Sequence, residues 1–245
     1  ASDLHLGAPD ASASRERERD FLRWIDQVGR HGDGLHLVGD LIDFWFEWRH
    51  VVPKGAVRLL GHIGELVDGG LEVHWHLGNH DMWTRGYLAD ELGVHVHADP
   101  IDVEFAGFRC LVGHGDGLGP GDRKYKALKR LFRNPAARWA FARLHPDFAF
   151  RIGSRLSRDS RAAGAEAEAR YTGPEGEWLF HHCRDVLDRD AYDAFIFGHR
   201  HLPLDLEVTS SNGARTARYL NCGDWIGHRT YVTLDGDGPA LRHWT

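Results

Sequence analysis

Five short motifs follow one another along the 245-residue chain: Asp3-x-His5, Gly39-Asp40-x-x-Asp43, Gly78-Asn79-His80-Asp81, Gly113-His114-Gly115-Asp116 and Gly198-His199-x-His201. They offer carboxylate oxygens, an amide oxygen and imidazole nitrogens, a ligand set suited to divalent cations, and no thiolate. A spacing of two puts Asp3 and His5 on one side of an extended chain. Asp40, before a loop, is placed to bridge two cations through its two oxygens. Asn79 supplies an amide oxygen, and His114, His199 and His201 supply imidazoles. Two cations roughly 3.5–4 Å apart lower the pKa of a bridging water and clamp both the attacking and the leaving oxygen of a phosphoryl displacement. The motifs therefore point to a two-metal phosphoesterase site. Glycines beside nearly every ligand suit tight loops and close backbone approach.

Residues so far apart need a scaffold that gathers them. Apolar or β-branched runs at 35–38, 71–77, 108–112 and 195–197 precede Asp40, Asn79, His114 and His199. In an open α/β sheet, ligand sites form just beyond the carboxyl ends of strands. Periodicity predicts amphipathic helices over 15–30, 55–67 and 174–187. It predicts a hairpin over 101–112 turning at Ala106-Gly107, and another turning at Ser211-Asn212-Gly213. Leu220 leads a further strand into Gly223-Asp224-Trp225. The expected class is α/β, with a central sheet that can fold into two layers.

Residues 120–172 differ from the rest. Apolar residues recur at helical spacing, in the sets Tyr125, Leu128, Leu131 and Phe132, then Trp139, Phe141 and Leu144, then Phe148, Phe150, Ile152 and Leu156. Between them run lysines and arginines, and Asp122, Asp147 and Asp159 are the only acids up to Arg161. Pro135 and Pro146 are expected to divide the segment into short helices, and 162–173 reads as a mobile, small-residue link. The chain as a whole carries a net charge of -6, which argues against a general nucleic-acid coat. The odd count of three cysteines, without metal-type spacing, fits reduced core residues of a cytosolic protein. No stretch is apolar enough to span a bilayer, and the start has no signal-peptide pattern. Because Ala1-Ser2-Asp3 begins almost on the first motif, most of the first strand is expected upstream of residue 1.

Taken together, the five motifs resemble those of the calcineurin-like metallophosphoesterases. That resemblance implies a β-sandwich flanked by helices, with one metal held by Asp3, His5, Asp40 and His201 and the other by Asp40, Asn79, His114 and His199. His80 would lie above the phosphate as acid or charge stabiliser, with Asp81 orienting its ring. A narrower resemblance spans nearly the whole length. His114-Gly-Asp-Gly-Leu, the basic helical insertion and Asn221-Cys-Gly-Asp-Trp225 are similar to the UDP-2,3-diacylglucosamine pyrophosphatase family of lipid A biosynthesis. It implies cleavage of a lipid-linked nucleotide pyrophosphate to UMP and 2,3-diacylglucosamine 1-phosphate, Mn²⁺ as the metal, and a helical lid over 120–172 within a single domain spanning 1–245. The apolar faces of such a lid suit acyl chains, and its arginines suit phosphates or the anionic inner face of the cell membrane, where a cytoplasmic protein would bind peripherally. Asn79, Asp122, Tyr125, Arg158, Ser160 and Arg161 are the expected substrate contacts. The well-studied branch of that family has Arg where this chain has His80.

Other features have plainer readings. His74-x-His76 lies inside a strand, His95-x-His97 between elements and His181-His182 on a helix face, and all three are expected to be structural or superficial. Asp43 and Asp116 are expected behind the ligands at best. The aromatic run from Phe44 to Trp48 is either core or an apolar wall beside the site. Rival functions are a phosphodiesterase or nucleotide phosphohydrolase on soluble substrates, a nuclease, and a metal-free binding scaffold.

Overall fold

The computed structural model describes residues 1–120, 123–168 and 170–245, with the helical backbone alone at 123–124 and 163–168. The elements run α1 (Ala11–His31), β1 (Gly34–Val38), α2 (Val57–Asp68), β2 (Glu72–His76), α3 (Tyr87–Leu92), β3 (His95–His97), β4 (Ile101–Phe105), β5 (Phe108–Gly113), α4 (Arg123–Arg133), α5 (Pro135–Phe141), α6 (Pro146–Glu168), α7 (Trp178–Leu187), β6 (Ala194–Phe197), β7 (Pro203–Thr209), β8 (Thr216–Cys222), β9 (Thr230–Asp235) and β10 (Gly238–His243).

Strands β1, β2 and β3 form a parallel sheet. Its alternation divides two environments. Leu35, Leu37, Val73 and Trp75 face α1, α2 and α3, where they meet Phe21, Ile25, Leu59 and Ile63 in a continuous buried core. His36, His74 and His76 take the alternate positions, as period two requires. Asp10 starts α1 by accepting hydrogen bonds from the amides of Ser12 and Ala13, a cap of the kind that contributes about 1 kcal/mol. Arg30 and His31 in the last turn complement the helix dipole.

The second sheet has the order β4-β5-β6-β8-β7, with β5, β6 and β8 parallel and an antiparallel strand at each edge. Helix α7 covers one face through Leu179, Phe180, Cys183 and Leu187 packed on Phe195, Phe197 and Tyr219. On the other face Val112, Ile196, Leu220 and Cys222 meet Val38 of the first sheet. The result is the expected sandwich of two sheets flanked by helices. The hairpin β9–β10 adds Val232, Leu234 and Leu241 to that inner layer. All three cysteines are free and buried.

The basic segment is helical, with one difference from expectation. Asn134 caps α5 and Pro135 takes its first turn, so the predicted break occurs there. After Pro146, however, α6 continues for 23 residues through Glu168, well into the stretch expected to be irregular. No helix among the described residues is long and apolar enough to cross a membrane.

Candidate metal centre

Each motif occupies the loop just past a strand: Asp40 after β1, Asn79 after β2, His114 after β5 and His199 after β6. Residues 1–6 run beside β1 and its following loop, where Asp3 N donates to Gly39 O at 3.0 Å and His5 N to Asp40 O at 2.9 Å. Two glycines permit this crowding. A Cβ on Gly78 would stand 2.1 Å from Asp40 Oδ1, and one on Gly39 would stand 2.4 Å from His114 Nδ1.

Three groups of donor atoms converge: Asp3 with His5 and His201, Asp40 with His114 and His199, and His5 with Asp43 and His80; the first two hold the expected ligands. In the first, His5 Nε2 and His201 Nε2 face each other at 3.3 Å, and Asp3 Oδ1 lies 3.3 Å from His201 Nε2 and 3.7 Å from His5 Nε2. In the second, His114 Nε2 is 3.3 Å from both Asp40 Oδ2 and Asn79 Oδ1. Asp40 Oδ2 also stands 3.9 Å from His5 Nε2, so it looks into both groups. Asp40 Oδ1 accepts the His80 amide at 2.8 Å, while Oδ2 faces both groups.

Protons do not satisfy this arrangement well. Two buried imidazole nitrogens point at one another, and the buried Asp3 Oδ1 has no hydrogen-bond partner. Burial opposes charge on His5, yet its contacts with Asp3 and Asp43 outweigh burial and raise its pKa to about 10. Burial also opposes charge on His114, and Asp40 raises it well above the ordinary imidazole value all the same. Burial and the nearby His114 lower His199 to about 4. Divalent cations fit such a site because they replace those protons and satisfy several lone pairs at once.

The side chains are held from behind. His114 Nδ1 lies 2.8 Å from the carbonyl of Val38, which only accepts, so Nδ1 carries the proton and Nε2 presents its lone pair inward. His5 Nδ1 is 3.4 Å from Asp43 Oδ1, and His201 Nδ1 is 3.5 Å from Asp224 Oδ2. Asp3 Oδ2 accepts the amide of His199 at 2.9 Å. Carboxylates and carbonyls behind imidazole ligands fix their orientation and raise their basicity.

Backbone conformation marks the same residues. Asp3, His5, Asp40, His199 and His201 have φ between 43° and 65°, and they make up five of the eight non-glycine residues with left-handed φ among those described. Such conformations cost on the order of 1 kcal/mol or more each and gather where function requires them.

The curated relatives are consistent in name. The chain is 36% identical over 98% of its length, and 94% of the relative's, to a UDP-2,3-diacylglucosamine hydrolase of Porphyromonas gingivalis. It is 30% identical over 99% of its length, and 97% of the relative's, to one of Xanthomonas oryzae pv. oryzae. This chain belongs to the UDP-2,3-diacylglucosamine hydrolase family. No protein-family model matches it. Solved structures of similar shape include YfcE, a phosphoesterase from E. coli, at 17% identity and a TM-score of 0.45 over 100% of this chain and 91% of that one. An archaeal phosphodiesterase aligns at 13% identity and a TM-score of 0.45 over 98% and 94%.

For a hydrolase of this family, several expected contacts lie elsewhere than the sequence suggested. Asp81 does not reach the His80 ring. Its carboxylate accepts from the amides of Gly78 (2.6 Å) and Leu41 (3.2 Å) and from Trp75 Nε1 (3.3 Å), tying the two ligand loops together, and burial beside Asp40 raises its pKa to about 7. His80 Nδ1 meets Asp43 O and Ser157 Oγ instead, each at 2.8 Å. Arg161 does not point free toward a phosphate but grips Asp43, at 2.9 Å and 3.2 Å. Tyr125 donates to Asp116 Oδ2 at 2.6 Å, with its ring 6.2 Å from that of His199. Arg158 lines a cleft of about 380 Å³ with Arg15, Lys54, Arg58 and Phe150, directly beside Asp43. Ser160 is exposed on α6, and Asp122 lies outside the described residues. Sequence reasoning passed over Ser157 and expected Asp224 only to brace the sheet near the site, whereas its carboxylate faces His201. The Gly-Asp after β8, which repeats the strand-then-Gly-Asp pattern of Asp40, is the signal that marks Asp224.

Proposed function

We propose that this chain hydrolyses the pyrophosphate of UDP-2,3-diacylglucosamine, giving UMP and 2,3-diacylglucosamine 1-phosphate. The observation that carries the reading is the pair of donor groups meeting at Asp40 Oδ2. Asp3, His5, Asp40 and His201 would hold one divalent cation, and Asp40, Asn79, His114 and His199 the other, with Mn²⁺ the first choice. The cations supply Lewis acidity and an activated water. The protein aligns the ligands before substrate arrives, so little reorganisation is left for the reaction. His80, whose Nε2 lies 3.9 Å from Asp40 Oδ2, would act above the phosphate as acid or charge stabiliser.

The helical segment 120–172 acts as a lid over the lipid, within one domain spanning 1–245. Its outer surface supports this reading. Leu131, Trp139, Phe148 and Leu156 are each more than half exposed, next to Arg130, Arg143, Arg151 and Arg155. A face of that composition suits contact with an anionic membrane surface from the cytoplasmic side. The cleft lined by Arg158 and Phe150 pairs positive charge with aromatic surface beside the metal centre, as a lipid-linked nucleotide requires.

The experiment is hydrolysis of UDP-2,3-diacylglucosamine by metal-stripped protein with Mn²⁺ restored, alongside bis(p-nitrophenyl) phosphate. UMP release that depends on added metal supports the reading. Turnover of the diester alone moves the substrate to soluble phosphodiesters, and silence on both with metal bound overturns the catalytic assignment.

A further inference from the structure

Helix α6 meets the loop after Asp40 through Ala149, Gly153, Ser157 and Arg161, which are spaced by four and so share one face. Ala149 is fully buried and Ser157 nearly so, whereas Phe148 and Leu156 point to solvent. Small side chains set the distance between helix and loop. A Cβ on Gly153 would stand 2.1 Å from Phe44 Cε2, so glycine there lets the helix axis come this near. The close approach carries Ser157 Oγ to 2.8 Å from the Asp43 carbonyl and 2.8 Å from His80 Nδ1.

These three groups admit one arrangement of protons. His80 Nδ1 is itself 2.8 Å from Asp43 O, and a carbonyl oxygen only accepts. An unprotonated Nδ1 would set two lone pairs against each other, so Nδ1 carries the hydrogen. The Ser157 hydroxyl then donates to the same carbonyl and turns its lone pair to Nδ1–H. The carbonyl receives two donors, one for each lone pair, and the remaining ring nitrogen, Nε2, faces Asp40 and the site. Arg161, four residues on, anchors the Asp43 carboxylate and so steadies the peptide that carries this carbonyl.

We infer that Ser157 is a positioning residue for His80: from the helical segment outside the metal centre, it fixes the ring in the Nδ1–H tautomer with Nε2 presented to the site. The catalytic part of this inference rests on the proposed hydrolysis, while the tautomer does not. The position expected to orient His80, Asp81, is occupied in tying the loops together, and Ser157 with the Asp43 carbonyl takes over the task. The helix and the reaction centre are thereby joined, because a displacement of α6 removes a hydrogen bond from His80.

The test uses the full chain in two states. In the metal-free protein, ¹⁵N ring shifts of His80, assigned by difference against His80→Gln, report the tautomer. Wild type should show a protonated Nδ1, and Ser157→Ala should shift the ring resonances toward mixed tautomers. In the metal-loaded protein, Ser157→Ala should lower kcat about tenfold with KM little changed, as loss of a hydrogen bond that orients a catalytic ring does, and Ser157→Thr should restore most of it. Ser157→Cys keeps the volume and weakens the hydrogen bond, which covers the case in which alanine fails to fold. Unchanged ring shifts and unchanged kcat in Ser157→Ala would overturn the inference. If wild type hydrolyses nothing but the ring shifts still respond to Ser157→Ala, the positioning stands and the hydrolytic reading falls.

Discussion

His36 and His74 stack face to face on neighbouring parallel strands, with ring centroids 4.3 Å apart and planes 3° from parallel. His36 Nδ1 lies 3.1 Å from His76 Nε2, and His74 Nδ1 lies 2.9 Å from His97 Nε2. Each such contact needs a bare nitrogen on one ring, so the two rings of a pair cannot both be charged. Burial first, then the neighbouring imidazoles, lower His36 to about 3 and His76 to about 2, and the same causes lower His74 and His97. In the unfolded chain these rings take up protons near pH 6.5. Between there and about pH 3 the unfolded state therefore binds more protons than the native one. The contribution of these rings is complete above pH 6.5 and falls as pH drops, by ~1.4 kcal/mol per pH unit for each of His36 and His76. Urea midpoints measured from pH 7.5 to 4.5 on metal-free protein should show this slope, and His36→Gln with His76→Gln should flatten it. An equal slope in that double variant would place the acid sensitivity elsewhere.

Asp40 Oδ2 lies 3.3 Å from His114 Nε2 and 3.9 Å from His5 Nε2, so its loss should not spare either metal. Asp40→Asn keeps the shape and the acceptor for the His80 amide but removes the charge. Bound metal, counted by elemental analysis after dialysis, should fall from two ions toward zero, and hydrolysis should drop at least about a thousandfold. Retention of both ions would remove Asp40 from the centre. His95→Gln, exposed on the edge strand, is the control and should leave the metal count unchanged.

Much of this centre was legible in sequence, because metal ligands must be particular residue types and the strands before them are strongly apolar. The boundary of β1 before Asp40 and the hairpin turning at Ala106-Gly107 follow from those patterns alone. What was hidden depends on contacts between distant segments. Apolar residues at helical spacing stood out in 148–156, yet the small residue Gly153 meets the loop after Asp40, because Phe44 fills the space that a larger side chain would need. Motif order assigned Asp81 to His80, but Asp81 is held by two backbone amides and an indole. The left-handed backbone at five candidate ligand residues was hidden because Asp and His, though enriched in that region, adopt it in only a minority of cases.

The outer face of α4–α6 should behave as a membrane contact. Arg143 lies over the exposed Trp139 ring at 4.8 Å, joining charge to apolar surface at one point. The protein should co-sediment with vesicles containing anionic lipid, less so as salt rises, and weakly with neutral vesicles. Trp139→Ala with Phe148→Ala should reduce binding several-fold while leaving the melting temperature nearly unchanged, since both side chains are more than half exposed. Binding insensitive to both salt and these substitutions would assign the face to something other than a membrane.

Between His199 and His201, Arg200 turns away from the centre and enters a buried ion pair. Its Nε lies 2.8 Å from Glu177 Oε2 and its Nη2 3.0 Å from Oε1, with both side chains almost wholly buried. Arg200 also donates to the carbonyl of Arg170 at 2.9 Å. Breaking a buried pair leaves one charge without compensation, which costs about 3 kcal/mol. Glu177→Gln should therefore lower the melting temperature by roughly 6–12 °C for a chain of this size. It should also weaken metal binding, because the loop that presents His199 and His201 loses its anchor. Replacing both partners, as Glu177→Gln with Arg200→Met, should recover much of the stability, since no unpaired charge then remains. A double variant as unstable as the single one would mean that the pair contributes through packing, and not through the uncompensated charge.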